Sequence, residues 1–299
     1  MTLRAFIAAE LDRAVLPAIA EAARSIAASL GGEAVLFYGS VLRTADLDGV
    51  LDFYVLRGAG TATGVSRRIW PDVSYHEVAL DERVIRAKVA TMDLDMFERA
   101  AAGRSRDTTI WARFVQPVAL IWVADAVTHD RIVDAVADAA VTAARFTALH
   151  GPTQGSAGDY WRSLFRATYA TELRVEALGR EDQILSYDRA RYDALLPLAW
   201  EAGGIAFARN GHTLAPSLPP LDRQVLTRRW SRARRWGKKL NAIRLIKAAF
   251  TFDGATRYAL WKIERHTGLS VPVTPFRERH PLISAPGVLW RLWQHQAAR

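Results

Sequence analysis

The spacing of hydrophobic positions changes along the chain, and with it the element each stretch predicts. Over residues 5–30, Phe6, Leu11, Val15, Ile19 and Ala22 recur at helical spacing, which predicts one helix stopped by Gly31-Gly32. Residues 34–38 (AVLFY) are a short continuous apolar run, the mark of a buried strand. Residues 50–56 (VLDFYVL) form a second run, interrupted only by Asp52. Residues 74–80 and 84–90 predict two strands joined by a tight turn at Asp81-Glu82. A helix over 92–102 and a strand over 118–124 follow. Helical patterns then fill 129–149, 160–178 and 189–201, and the Pro-rich residues 215–221 (APSLPPL) read as a linker. The layout is α+β with strands of mixed direction, cut near residues 150 and 220 into units 1–150, 151–220 and 221–299.

Composition adds limits. With 299 residues, 50% hydrophobic and 24% charged, the chain is an ordinary globular sequence long enough for two packed units. The apolar run at 118–124 is far too short to span a bilayer. There is no cysteine, which excludes disulfides, thiolate metal sites and a cysteine nucleophile. The seven histidines show no metal-ligand spacing, so zinc is not expected.

Charge is unevenly placed. Residues 1–220 carry 23 Lys+Arg against 27 Asp+Glu, whereas residues 221–299 carry 17 against 4. The whole net charge of +9 therefore comes from the C-terminal segment, which points to a polyanionic partner.

Candidate chemistry concentrates in residues 36–56, LFYGSVLRTADLDGVLDFYVL. A buried strand runs into Gly39-Ser40, and a second carries Asp52 a dozen residues later. Glycine lets the backbone approach a phosphate, and the Ser40 hydroxyl and free N–H groups can bind it. An aspartate inside an apolar strand is costly unless it is paired or holds a cation. A magnesium ion bridging Asp52 and a nucleoside triphosphate answers both demands.

This arrangement resembles the nucleotidyltransferase superfamily that includes DNA polymerase β, whose pattern is strand, Gly-Ser, then Asp-x-Asp on a strand. Position 50 is Val50 where that pattern has aspartate. Asp48 keeps the strand parity and is the substitute candidate, while Asp46 reads as a turn residue. A closer resemblance is to the mitochondrial-type phosphatidate cytidylyltransferases, the translocator assembly and maintenance proteins. Their motifs correspond in order to Tyr38-Gly39-Ser40, Leu51-Asp52-Phe53, Arg83-Val84-Ile85-Arg86 and Ala112-Arg113-Phe114-Val115-Gln116-Pro117-Val118, with a further echo in Gly158-Asp159-Tyr160-Trp161-Arg162. The chain departs from that family at Val41, where it has glycine, and at Arg86, where it has lysine.

The resemblance implies a nucleotidyltransferase mixed sheet over 1–150 and a mainly helical second domain over 151–220, a winged-helix-like form being one option for it. A basic extension over 221–299 completes the chain. The implied reaction joins CTP and phosphatidate, or a related lipid phosphate, into CDP-diacylglycerol and pyrophosphate with Mg²⁺. A phosphate monoester is already an oxyanion at neutral pH, so catalysis is mostly alignment and charge neutralisation. Asp52, with Asp48, is the expected metal ligand, and Glu77 is the candidate third carboxylate. Arg86 and Arg113 are expected on the phosphates. Tyr38, Gly39, Ser40 and Arg162 complete the nucleotide contacts. Lys88 shares the parity of Arg86 and ranks below it, because the family match places glycine there. An RNA or small polar acceptor, or a nucleotide-binding module without catalysis, are the alternatives.

Residues 223–247 hold ten Lys+Arg and no acid, interleaved with bulky apolar residues. A basic helix of this kind reads as lying on an anionic membrane through Arg228, Arg229, Trp230, Arg234, Arg235, Trp236, Lys238 and Lys239. Trp290, Arg291, Leu292 and Trp293 repeat the pattern. That places the protein peripherally, on the cytoplasmic face of an inner membrane or the matrix side in an organelle. Plain packing of a helix on the protein is the second reading, and single-stranded nucleic acid is the third.

Overall fold

The computed structural model describes residues 1–44, 49–64, 68–80, 83–172, 179–279, 283–284, 286–288, 290–291 and 294. Two helices open the chain where the periodicity suggested one: α1 (Leu3–Leu11) and α2 (Pro17–Leu30). Pro17 explains the break, because proline is suited to the first turn of a new helix and not to the interior of an old one. Gly31, with φ of 64°, ends α2 in the left-handed conformation.

The central sheet follows from the apolar runs. Its strands are β1 (Gly32–Tyr38), β2 (Val50–Arg57), β3 (Asp72–Leu80), β4 (Arg83–Asp93) and β5 (Ala119–Val123), in the order β3-β4-β2-β1-β5. Only β2 and β4 pair in parallel; the other neighbours are antiparallel. Both faces of β1 and β2 are covered over most of their length, which is why they read as apolar runs broken only at Asp52, whereas the edge strand β3 is partly exposed. Val35, Phe37, Leu51, Phe53, Val55, Ala87 and Val89 face α2. Leu36, Tyr54, Leu56, Ala90 and Met92 face a larger core.

That larger core is built by α1 with α4 (Leu94–Ala101), α5 (Thr109–Phe114) and α6 (Ala126–His150), the short helix α3 (Ser40–Thr44) lying between β1 and β2 in sequence. It continues without a break into α7 (Ala157–Thr171), α8 (Arg180–Tyr187), α9 (Arg189–Ala202) and the hairpin β6 (Ala206–Asn210) and β7 (Thr213–Ser217). Residue 150 is thus a change of architecture and not a gap in packing. A buried ion pair ties the two parts: Arg191 Nε donates to Glu10 Oε1 at 2.7 Å and Nη1 to the Val115 carbonyl at 2.9 Å. Removing either charge would strand the other in the core, at a cost of about 3–5 kcal/mol.

The expected linker at 215–221 is instead structured. Pro216 sits in the edge strand β7, where its missing N–H costs no ladder bond, and Pro220 begins α10 (Pro220–Thr251). This helix, about 48 Å long at 1.5 Å per residue, lies against the body. Leu226, Trp230, Ala233 and Gly237 form its buried stripe. A Cβ on Gly237 would meet the Thr171 carbonyl at 2.5 Å, so glycine sets how closely α10 crosses the end of α7. The chain finishes with α11 (Ala255–Thr267) and α12 (Pro275–Arg279). Among the described residues, no helix is long and apolar enough to cross a membrane.

Candidate functional site

Register builds the site. Tyr38, the last residue of β1, pairs with Asp52 on β2; Asp52 pairs with Lys88 on β4; Lys88 pairs with Tyr75 on β3. Partners in register project to one face, so these four side chains form a row across the sheet. The row lies on the face of the larger core, on the side where β1 ends and the chain turns at Gly39.

Gly39 has φ of 92°, a conformation that side chains with a Cβ rarely adopt. A Cβ there would stand 2.5 Å from Asp52 Oδ2. The bend therefore needs glycine twice over, for its backbone and for the carboxylate beside it. Ser40, the next residue, is exposed at the start of α3.

Two cations complete the row's charge. Arg113, on α5, places its guanidinium 4.9 Å over the Tyr38 ring. Its Nε is buried and donates no hydrogen bond among the described residues. Burial opposes its charge, but Tyr38, Tyr54, Glu172 and Asp52 outweigh that and hold its proton more tightly than usual. Glu172 is itself fixed by Thr108, whose hydroxyl donates to it at 2.5 Å. Asp107, six residues before Arg113 in sequence, pairs with Arg244. Lys88 is the second cation. Burial lowers its pKa, the Asp52 charge raises it, and Arg113 and Lys262 push it down again.

The other expected residues lie elsewhere. Arg86 and Glu77 pair in register one step nearer the β3–β4 turn, with Nε 3.6 Å from Oε1. Glu77 also accepts a 3.0 Å hydrogen bond from Tyr75, and the Arg86 guanidinium lies 5.7 Å over Trp261. Glu77 is thus two strands from Asp52 and already engaged, so the structure does not bring it to Asp52 as a third carboxylate. Arg162, expected at the nucleotide, is held by Asp159 at 2.9 Å and Asp182 at 2.7 Å on the helical side. Asp46 and Asp48 lie outside the described residues. Among the described residues, no group of three or more His, Asp or Glu is disposed to hold a metal ion.

The C-terminal segment is a wall of this region and not a detached extension. Tyr75 donates its N–H to the Asp253 carbonyl at 2.8 Å, and its ring packs 5.4 Å from Tyr258. Lys247 Nζ donates to Asp72 Oδ1 and to the Ile69 carbonyl, each at 2.5 Å. These contacts bring Trp261 and Lys262 of α11 toward Arg86 and Lys88.

On α10, Arg228, Arg229, Arg234, Arg235, Lys238 and Lys239 are exposed. Trp230, expected among the membrane residues, is turned inward: it is 9% exposed and packs on Phe146 and His150. Helical periodicity puts it on the stripe of Leu226 and Ala233, which the sequence reading had not separated from the charged face. Trp236 is partly covered, flanked by Arg106 and Lys239 at 5.5 Å each. Trp290 and Arg291 are exposed, while Leu292 and Trp293 lie outside the described residues.

No protein-family model matches the chain, and no curated protein matches it.

Proposed function

We propose that the protein is a Mg²⁺-dependent nucleotidyltransferase that couples CTP to phosphatidate or a related lipid phosphate at a membrane surface. The observation that carries this reading is the Asp52 carboxylate set against the Gly39 bend, with Lys88 and Arg113 as the cations beside it. A mixed sheet with a Gly-Ser bend beside an aspartate strand supports a nucleotidyltransferase fold.

The donor set fits the metal. Magnesium commonly binds through one or two protein carboxylates plus substrate phosphates and water. Asp52 supplies one carboxylate, and the glycine bend lets the backbone come close to its Oδ2, where any Cβ would clash. Held by Asp52, magnesium would neutralise charge on the triphosphate. Lys88 and Arg113 neutralise the remaining phosphate charge, and arginine's fork suits a phosphate with two donors. The acceptor phosphate oxygen attacks the α-phosphorus of CTP. The bond to the β-phosphate breaks, and pyrophosphate leaves with that electron pair. The acceptor is already an oxyanion, so no general base is required.

The outer side of α10 supports a lipid acceptor. Its exposed arginines and lysines stand beside Leu245 and Ile246, which are 64% and 61% exposed. Each basic residue near an anionic bilayer contributes about 1 kcal/mol of attraction. Such a protein would lie peripherally, on the cytoplasmic face of an inner membrane or on the matrix side in an organelle.

The test is pyrophosphate release measured with CTP, ATP, GTP and UTP, each with phosphatidate vesicles, phosphatidylcholine vesicles or no lipid. The expected result is release from CTP that depends on phosphatidate. Release that ignores the lipid would transfer the site to a polar or RNA acceptor, and no release from any nucleotide would overturn the reading.

A further inference from the structure

A second cationic site lies where α10 crosses the loop after α4. A pocket of about 280 Å³ opens there, lined by five arginines: Arg68, Arg99, Arg104, Arg106 and Arg244. Asp107 is the one carboxylate in the lining, and it is already committed. Arg244 pairs with it, and the Ser105 and Thr109 hydroxyls donate to it at 3.2 and 3.3 Å. Arg99 pairs with Asp95 at 2.9 Å. Arg68, Arg104 and Arg106 make no ion pair among the described residues.

The pocket has fixed donors as well as charge. Arg244 is stacked 4.5 Å from the Trp70 ring, which sets the plane of its guanidinium, and its buried Nε donates to nothing among the described residues. A smaller adjoining pocket of about 140 Å³ shares Arg104, Ser105 and Asp107 and adds Arg229 and Arg232 from α10. So many guanidinium groups facing one cavity repel one another, and a compact anion with several acceptor oxygens relieves that repulsion.

We infer that this pocket binds a phosphate monoester, either free or as the headgroup of an anionic lipid, at a place separate from the Gly39–Asp52 bend. Tyr38, Gly39, Asp52, Lys88 and Arg113 are absent from its lining. The inference rests on the arginines alone and stands whether or not the chain turns over CTP.

The experiment uses the full chain without nucleotide. Glycerol 3-phosphate is titrated by calorimetry, and sedimentation is measured with phosphatidylcholine vesicles with and without phosphatidate. The variant Arg68→Gln/Arg104→Gln/Arg106→Gln changes three exposed side chains. Arg24→Gln/Arg189→Gln/Arg209→Gln removes the same charge from exposed positions outside the pocket. Saturable binding by the unaltered chain should weaken about tenfold or more in the pocket variant and stay within about twofold in the other. Binding of glycerol 3-phosphate identifies a free monoester as sufficient; binding only to phosphatidate vesicles identifies a headgroup held at a surface. Absence of saturable binding in both assays, or equal weakening by the two variants, overturns the proposal.

Discussion

Two carboxylates project from the same face of the central sheet, each beside a cation on β4. Asp52 faces Lys88, and its carboxylate packs so closely under the glycine bend that a Cβ there would meet Oδ2 at 2.5 Å. Glu77 faces Arg86, accepts a hydrogen bond from Tyr75, and has Trp261 over its arginine. The second group has its partners within the chain, on residues about one-third exposed. The first is held in a half-buried row whose charges are fixed by strand register and whose bend admits only glycine. Carboxylate–cation adjacency alone does not distinguish the two groups; the glycine bend set against the Asp52 carboxylate does.

The contrast breaks most sharply at Asp52. Asp52→Asn keeps the size of the side chain and removes its charge, and should cut pyrophosphate release on the order of 1,000-fold with the thermal transition preserved. Retained turnover would place the metal and the chemistry elsewhere. Gly39→Ala attacks the same group from the other side. The added Cβ meets Asp52 Oδ2 at 2.5 Å and strains a backbone at φ of 92°. A loss of about 1–2 kcal/mol of stability is expected, together with activity lowered on the order of 100-fold by displacement of the carboxylate.

Lys88→Met should lower turnover about 10- to 100-fold, the worth of one or two charge-assisted contacts to phosphate. It carries a second signature. Burial makes folded Lys88 release its proton below the ordinary lysine value of 10.5. Between those two values the unfolded chain binds more protons than the folded one, so stability rises with pH across that window. Denaturant unfolding from neutral to alkaline pH should show this rise in the unaltered chain and a smaller one in the variant. Turnover in the unaltered chain should fall over the same window, because the charged lysine is the form that meets phosphate.

The difference between the two groups also marks what the sequence carried. The strands of the core sheet were legible as apolar runs, and the Gly-Ser bend and Asp52 stood out because glycine and aspartate interrupt such runs. The break at Pro17 and the strand through Pro216 were missed, since proline marks a helix start or an edge strand as readily as a stop. The Glu77–Arg86 pair was within reach. The tight turn expected at Asp81-Glu82 would set Leu80 opposite Arg83, and counting back sets Glu77 opposite Arg86, which is the register observed. Lys88 was not. Its place beside Asp52 depends on how β2 pairs with β4, a parallel register that no local pattern encodes. Trp230 is the opposite case: its spacing of four from Leu226 and three to Ala233 already marks the stripe that packs, which composition alone does not separate from the charged face.

The smallest expected effect is the sharpest control on the comparison. Glu77→Gln removes a carboxylate that is 34% exposed and lies 3.6 Å from Arg86 Nε. A pair so open to solvent contributes about 0–1 kcal/mol, and the amide can still accept from Tyr75. Turnover should therefore change by less than about threefold, since the cation–aromatic contact of Arg86 with Trp261 does not require the carboxylate. Tyr75 provides an internal readout. Burial, the Glu77 charge and the hydrogen bond to it all hold the phenol protonated to higher pH than usual. Losing the charge while burial and a hydrogen bond persist should bring its ultraviolet titration partway back toward the ordinary tyrosine range. A Glu77→Gln variant that shifts the phenol while leaving pyrophosphate release intact would confine the chemistry to the Asp52 row. One that abolishes release would show that the two carboxylates act together despite the strand between them.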